Sequence, residues 1–362
     1  MLRRATTTER EQSSERERGV SSFLNDSTHS SASLKRLMLD MEERNETAVS
    51  EFILLGFPSL GKKLKIFLFL ILLLTYLITV TGNVVIIFIV WVDRRLHSPM
   101  YFFIANLSFL EIWFTSVTSP KLMLNILSVS RTISFHGCMA QTFFYFALGI
   151  TEFCLLVIMS FDRYVAICRP LQYATIMKQR LCIQLVLGSW VGSFTVISLR
   201  MRLMSKLRFC GPNVINHFFC DNSPLFQLSC TDTSGVKRMD SILISTLVLT
   251  SLCLTMLSYM SIFFSILQMP TATGRQKAFA TCGSHLTALT IAYGSCIVLY
   301  TRPLGNSSLD VNKGVALLNT IVYPFLNPFI YSLRNKTVKL ALRETFSRST
   351  VMLFPNLCHA SG

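Results

Sequence analysis

Charged residues are scarce in this chain of 362 residues, at 15% of the sequence, whereas a soluble domain carries about a quarter. Hydrophobic residues make up 51%, gathered in long blocks with the charges in the gaps. A soluble helical protein would show polar faces at a period of about 3.6 residues, but these blocks are apolar nearly all round. The scarcity of charge therefore argues against a soluble domain and indicates a membrane protein.

Several functional signatures are missing as well. No paired catalytic carboxylates and no nucleophile with its base stand out, so the sequence argues against an enzyme, and we expect no cofactor. The sequence shows no rings of charge and no carbonyl filter, which a pore would need. It also lacks the inverted repeats of a transporter. The net charge of +15 has no nucleic-acid motif beside it. Basic residues beside membrane spans instead predict contact with anionic lipid.

Seven apolar segments approach or exceed the roughly 20 residues that a helix needs to cross a bilayer. The sequence therefore predicts an all-α membrane protein, a bundle of seven transmembrane helices. Prolines inside these segments are expected to kink the helices rather than end them. The predicted spans are Ile66–Trp91, Met100–Ile126, Cys138–Phe161, Leu181–Leu199, Ser241–Met269, Ala278–Tyr300 and Val315–Leu333.

The distribution of Lys and Arg gives the direction of these spans. Basic residues follow spans one, three, five and seven, which predicts that the N-terminus lies outside and the C-terminus in the cytoplasm. The long connection between spans four and five is also basic, but its cysteines favour the outer side. We expect an extracellular, disordered tail at residues 1–50, a membrane domain at 51–335 and a cytoplasmic tail at 336–362.

The outer face carries candidate modification sites. Asn45 begins an N-glycosylation sequon in the predicted outer tail. Residues 1–40 contain no apolar stretch of the signal-peptide type, so we expect the first span to act as the insertion signal. Four of the eleven cysteines fall near the outer face, where oxidising surroundings favour disulfides, and they allow three pairings; a zinc site is the rival. They are Cys138, Cys210, Cys220 and Cys230.

Ionisable residues inside the apolar blocks are few, and each is costly to hold in a membrane. Glu111 lies in span two, Glu152 in span three and His285 in span six. Glu152 shares one face of span three with Tyr145 and Arg163, because their intervals keep them on one side of a helix. For the two glutamates the sequence leaves open polar contacts between helices or an ion or proton site.

Five strings, in order, carry a family resemblance. They are LHSPMYFF at Leu96–Phe103, MSFDRYVAICRPL at Met159–Leu171, SY at Ser258–Tyr259, KAFATCGSHL at Lys277–Leu286 and PFLNPFIY at Pro324–Tyr331. With these motifs the sequence resembles an odorant receptor of the rhodopsin-like G-protein-coupled family.

The resemblance implies a rhodopsin-like fold with a short amphipathic helix after span seven, in the plasma membrane. It implies a receptor that binds small, mostly apolar volatile ligands within the bundle. Such a receptor activates a stimulatory, olfactory-type heterotrimeric G protein and raises cyclic AMP. A receptor of the same fold that does not signal is the alternative.

The resemblance also implies roles for individual residues. Disulfides would join Cys138 to Cys220 and Cys210 to Cys230. A sodium site would be formed by Glu111, Glu152 and Asn327. The coupling and switch residues would be Asp162, Arg163, Tyr164, Tyr259 and Tyr331. The odorant pocket would be lined by Tyr145, Phe146, Gly149, Ile150, Leu243, Leu247, Tyr293, Cys296, Ile297 and Tyr300.

The basic stretch Ser198–Arg208 departs from the family pattern, which is mostly apolar at the end of span four. We expect span four to end at Leu199, with Arg200 and Arg202 reaching out to the membrane interface. On this interpretation the outer end of span four is disturbed.

Overall fold

The computed structural model describes residues 49–57, 61–127, 131–210, 212–300, 308–333 and 336–353. Within these ranges the chain makes seven helical passages followed by one further helix. They are α1 (Lys62–Val92), α2 (Pro99–Ile126), α3 (Phe135–Cys168), α4 (Gln179–Met204), α5 (Ser234–Leu267), α6 (Ala272–Tyr300), α7 (Ser308–Leu317), α8 (Tyr323–Leu333) and α9 (Lys336–Leu353). The five-residue π-helical turn Leu318–Val322 joins α7 to α8, so that the two form the seventh passage.

Short elements complete the chain between these helices. The cytoplasmic connections carry the 3-10 turns Arg94–Leu96 and Pro170–Gln172 and the helix Tyr173–Ile176. The outer side carries β1 (Glu51–Leu54), β2 (Thr132–Ser134), β3 (Val214–Ile215) and the helix Asn222–Gln227.

The helices have the length and polarity of membrane spans. Within the described ranges, α1 to α5 are each long and apolar enough to cross a bilayer, and α6 contains the shorter apolar segment His285–Val298. Large apolar side chains such as Leu70 on α1 and Leu257 on α5 are exposed. Exposed apolar surface on this scale suits lipid rather than water. The predicted all-α membrane bundle is confirmed.

Helix α3 forms the centre of the bundle. Leu148, Leu155 and Met159 on this helix are fully buried and share one core cluster with residues of α2, α4 and α6. The helix begins at Phe135, where the Ser134 hydroxyl accepts a hydrogen bond from the Gly137 amide. It therefore runs continuously from the outer face to Cys168 on the cytoplasmic side.

The predicted kinks do not end the helices. Helix α2 continues through Pro120 and α8 through Pro328. Gly82 on α1 packs directly on Pro328, because a Cβ atom at Gly82 would lie 3.0 Å from the Pro328 Cβ. The small residue thus allows α1 and α8 to approach closely, as small residues do in membrane helix pairs.

Helix α9 packs against the cytoplasmic end of α1. Its Val338 and Ala341 are buried with Ile89 and Leu96. On its solvent-facing side Glu344 pairs with Arg95 at 2.8 Å. This two-sided packing corresponds to the amphipathic helix expected after span seven.

A small three-stranded sheet covers the outer end of the bundle. Strand β1 lies in the middle, antiparallel to β2 and parallel to β3, with the order β2-β1-β3. Phe52 and Leu54 of β1 are fully buried against the loop that leads to α5. The sequence predicts a disordered tail up to residue 50 and no strand, so the sheet is a feature that only the structure shows. Asn45 lies outside the described residues.

Two disulfides and a buried lysine fix the outer loop, the connection between α4 and α5 at residues 205–233, of which β3 is a part. The structure joins Cys138 to Cys220 and Cys210 to Cys230. Beside the first bond, the Thr142 hydroxyl donates to the Cys220 carbonyl at 2.8 Å. From the seventh passage, Lys313 Nζ donates to Asn216 Oδ1 at 2.8 Å. The outer loop is thus attached to α3 and to α7 at once.

His217 in this loop makes stability depend on pH. Burial, and then the nearby Lys313, lower the pKa of His217 to about 3. An unfolded histidine titrates at about 6.5, so between these values the unfolded chain binds a proton that the folded loop excludes. Stability is therefore complete above about pH 6.5 and declines as the pH falls. At about pH 5 the loss should be ~2 kcal/mol.

We expect the free energy of unfolding of the purified protein to fall by about 2 kcal/mol between about pH 7 and pH 5, which a lower unfolding temperature at pH 5 will show. His217→Gln should flatten that dependence, whereas His136→Gln, at an exposed histidine of the same face, should leave it unchanged. An equally steep dependence in His217→Gln would show that another group is responsible.

Candidate functional site

A cavity of about 150 Å³ lies inside the bundle, bounded by α2 to α6 and the seventh passage. Its wall is mostly apolar and aromatic, with a few polar groups, which is the usual character of a small-molecule site. The lining residues are Phe114, Tyr145, Phe146, Gly149, Ile150, Glu152, Phe153, Ile197, Arg200, Leu243, Ile244, Leu247, Val248, Ala292, Ser295, Cys296, Asn319 and Tyr323.

Seven of the ten residues expected to form a pocket line this cavity. They are Tyr145, Phe146, Gly149, Ile150, Leu243, Leu247 and Cys296.

Two of the other three, Tyr293 and Ile297, are not among the lining residues. Tyr293 is buried in the core, where its ring packs on Phe153 and its hydroxyl lies 3.2 Å from Thr255 Oγ1. Ile297 is 51% exposed. The side chain of Tyr300 falls outside the described residues.

Arg200 was expected at the membrane interface, and the structure corrects this. Helix α4 continues to Met204, and Arg200 is only 3% exposed. Its Nε donates to Asp240 Oδ1 at 2.6 Å and its Nη2 to Asp240 Oδ2 at 2.7 Å. A buried arginine is tolerated when a carboxylate meets it in this two-pronged geometry, so the basic stretch extends α4 instead of disturbing it.

Two further contacts hold this ion pair in place. The guanidinium carbon of Arg200 lies 4.8 Å from the centre of the Phe146 ring on α3, a cation–π contact. Asn222 Nδ2 donates to Asp240 Oδ2 at 3.1 Å. Asn222 follows closely after the disulfide-bonded Cys220, so the outer loop, α3, α4 and α5 meet at one buried charge pair.

The sequence contained a signal for this ion pair, although the family resemblance does not point to it. Asp240 is an acidic residue at the start of an otherwise apolar span, and Arg200 stands at the end of the preceding span. Opposite charges at the adjacent ends of consecutive spans are expected to pair. The contribution of α4 to the cavity, through Ile197 and Arg200, was missed for the same reason.

The three residues expected to form a sodium site lie together at membrane depth. Asn327 Nδ2 donates a hydrogen bond to Glu111 Oε1. Glu152 lies close enough to Glu111 for the two carboxyl groups to interact electrostatically. Glu111 Oε2 and Asn327 Oδ1 are buried and have no hydrogen-bond partner in the described part of the chain. Among the same residues, no group of three or more His, Cys, Asp or Glu side chains could hold a metal ion.

The residues expected to form the switch lie at the cytoplasmic ends of α3 and α5. Arg163 Nη2 pairs with Asp162 Oδ2 at 2.5 Å, and Tyr173 donates to the other oxygen of Asp162 at 2.8 Å. The Tyr259 hydroxyl lies 2.7 Å from His285 Nδ1, which ties α5 to α6. The side chain of Tyr331 falls outside the described residues.

Contacts across the cytoplasmic ends keep α3, α5 and α6 together. Ile262 and Ile266 of α5 are buried against Ala278 and Cys282 of α6, with Tyr164 of α3 packed beside them. Close packing of these three ends corresponds to a closed cytoplasmic face.

Comparison with known proteins identifies the family. The sequence profile described as "Olfactory receptor" matches residues 72–349. Olfactory receptor 6E1 of the mouse, Mus musculus, is 52% identical over 84% of this chain and 97% of its own length. Human olfactory receptor 6B1 is 51% identical over the same shares. The chain belongs to the olfactory receptor family.

A solved structure agrees on the fold. Squid rhodopsin superimposes with a TM-score of 0.61 over 80% of this chain and 87% of its own, at 16% sequence identity. The rhodopsin-like bundle predicted from the motifs is therefore confirmed. This olfactory receptor is a multi-pass protein of the plasma membrane, and its family implies an odorant ligand and a G-protein partner.

The buried ion pair gives a prediction for the stability of the receptor. Asp240→Ala leaves Arg200 without its carboxylate, and breaking a buried pair in this way costs about 3–5 kcal/mol. We expect a much lower unfolding temperature for purified Asp240→Ala and almost no change for Arg202→Ala, at an exposed position on the same helix. Unfolding of Asp240→Ala at the wild-type temperature would contradict the pairing.

Proposed function

We propose that the cavity between α3 and α6 is the odorant site and that its occupation raises cyclic AMP through a stimulatory, olfactory-type G protein. The observation that carries the proposal is the cavity itself, because it is partly enclosed, largely apolar and lined by most of the residues expected from the family pattern. A volume of about 150 Å³ suits a ligand of roughly benzene's size. Small volatile molecules have that size and polarity.

Helix α3 supplies the connection between this site and the cytoplasm. Tyr145, Phe146 and Gly149 of α3 line the cavity, and Asp162 and Arg163 lie farther along the same helix. A ligand changes the populations of two receptor states only if it binds one of them more tightly. The odorant would therefore favour an arrangement of α3, α5 and α6 whose cavity it fills better than in the closed state.

In the arrangement of α3, α5 and α6 that the odorant favours, the closed cytoplasmic face must open. Arg163 is held by Asp162, and the buried contacts of Ile262 and Ile266 with α6 cover the space between the helices. In the active state Arg163 would leave Asp162 and engage the G protein, with Tyr259 and Tyr331 moving toward it. Tyr259 would first have to exchange its contact with His285.

Glu111, Glu152 and Asn327 are proposed to bind a sodium ion that favours the resting state. Two buried oxygen atoms in this group lack a partner among the described residues, and hard cations prefer oxygen ligands. With two carboxyl groups and one amide the set offers few protein ligands, so water would have to complete the coordination.

The terminal segments complete the proposal. Residues 1–50 would form an extracellular tail glycosylated at Asn45, and residues 336–362 a cytoplasmic tail whose basic residues contact membrane lipid. The basic stretch after Ser198 is the feature that would favour a non-signalling receptor. The Arg200–Asp240 pair accommodates that stretch, so no observation now favours this alternative.

The role of Arg163 is tested by Arg163→Ala in cells that express the full chain. We expect normal surface staining and no cyclic-AMP response to any odorant that activates the wild type, because the group that engages the G protein is gone. Arg94→Ala, at an exposed position of the cytoplasmic face, serves as the control and should signal normally. A wild-type response in Arg163→Ala would refute this role.

The sodium proposal is tested by the thermal stability of the purified receptor. An ion that binds only the folded state raises the free energy of unfolding by RT ln(1 + c/Kd), where c is the concentration of the ion. Sodium chloride should raise the unfolding temperature more than an equal concentration of choline chloride. Glu111→Gln should abolish the difference, whereas Glu344→Gln on α9 should retain it. Equal effects of both salts on the wild type would contradict a sodium site.

A further inference from the structure

Arg200 holds a charged hydrogen-bond donor at the outer end of the cavity. Ile197 and Leu243 line the cavity, and Arg200 and Asp240 each lie one helical turn farther toward the outer face, on α4 and α5 respectively. Arg200 itself also lines the cavity. The ion pair therefore lies at the outer end of a largely apolar cavity.

One edge of the guanidinium remains for a ligand. Its Nε and Nη2 are both engaged with Asp240. In the described part of the chain, the hydrogen-bond partner of Nη1 is Met201 Sδ at 3.7 Å, and a thioether is a weak acceptor. A buried charged donor without a strong acceptor gains substantially from an oxygen atom brought by a ligand.

The charges around Arg200 decide which kind of oxygen fits. Asp240 already neutralises the guanidinium. Asp221 is also nearby: burial raises the pKa of its carboxyl group, and the charge of Arg200 opposes that rise. An anionic ligand would be repelled by Asp240 and would lose its own hydration on entry. A neutral acceptor avoids both costs.

We propose that this receptor selects small neutral odorants that carry a carbonyl oxygen, an aldehyde, ketone or ester, which accepts a hydrogen bond from Arg200 Nη1. The apolar remainder of the ligand then packs against Phe146, Leu243 and Leu247. Phe146 contacts Arg200 and also lines the cavity, so it helps to fix the position of the guanidinium relative to the ligand. This assignment rests on the proposed function, since it concerns the same cavity.

The test compares matched probes on the full receptor. The probes are benzaldehyde, toluene and benzoate, with hexanal, hexane and hexanoate as a second series. Binding is measured as thermal stabilisation of the purified receptor, and signalling as cyclic AMP in cells with surface staining. We expect the aldehydes to act at concentrations roughly tenfold or more below those of the matched hydrocarbons, and the carboxylates to be weakest.

A variant pair isolates Arg200. In Arg200→Met with Asp240→Met, apolar side chains replace both charges, an exchange that buried ion pairs tolerate well. We expect this double variant to lose the preference for aldehyde over hydrocarbon in both series. Arg202→Met, which removes an exposed charge two residues away, should keep the preference.

The outcomes separate this inference from the proposed function. Equal potency of aldehydes and hydrocarbons on the wild type, strongest binding by carboxylates, or stabilisation by no probe would overturn the inference. A preference for aldehydes that persists in the double variant would also overturn it. Stabilisation by aldehydes without any rise in cyclic AMP would support the inference and refute the signalling function. The wild-type comparison decides alone if the double variant does not reach the membrane.

Discussion

Lipid offers no hydrogen bonds, so polar groups at membrane depth depend on partners within the protein, and this constraint organises the receptor. The pairs that satisfy it each join different helices: Arg200 with Asp240, Asn327 with Glu111, and Tyr259 with His285. Association of apolar helices in lipid has no hydrophobic driving force, so such pairs and close packing fix their relative positions. The polar contacts therefore mark where the helices meet and also where they can rearrange.

Helix α3 connects the outer loop, the cavity and the cytoplasmic face. Its outer end is bound to the loop through Cys138, its middle lines the cavity through Tyr145 to Phe153, and its cytoplasmic end carries Asp162 and Arg163. A continuous helix transmits a small rotation or shift along its whole length. A ligand that displaces Phe146 could therefore alter the packing of Tyr164 with α5 and α6. This is a physical route by which the cavity and the cytoplasmic face are coupled.

The sequence predicted what depends on local pattern, and it missed what depends on the rotation of one helix against another. The seven spans follow from apolar length, and the motifs identified the family. The end of α4 was placed five residues early, because Arg200 was judged by its own polarity without Asp240, which is forty residues away. The sheet was missed because strands of two to four residues carry almost no periodicity. Tyr293 was expected in the pocket, whereas packing on Phe153 holds it in the core.

The proposed function requires that an odorant binds within the α3–α6 cavity and that its occupation opens the cytoplasmic face. The most direct measurement is a cryo-electron microscopy map of the full receptor with an activating odorant and its G protein. This account predicts ligand density between Phe146, Arg200 and Leu247, and the cytoplasmic end of α6 separated from Tyr164 and Ile262. Ligand density outside this cavity, or an activated complex in which those cytoplasmic contacts are intact, would contradict it.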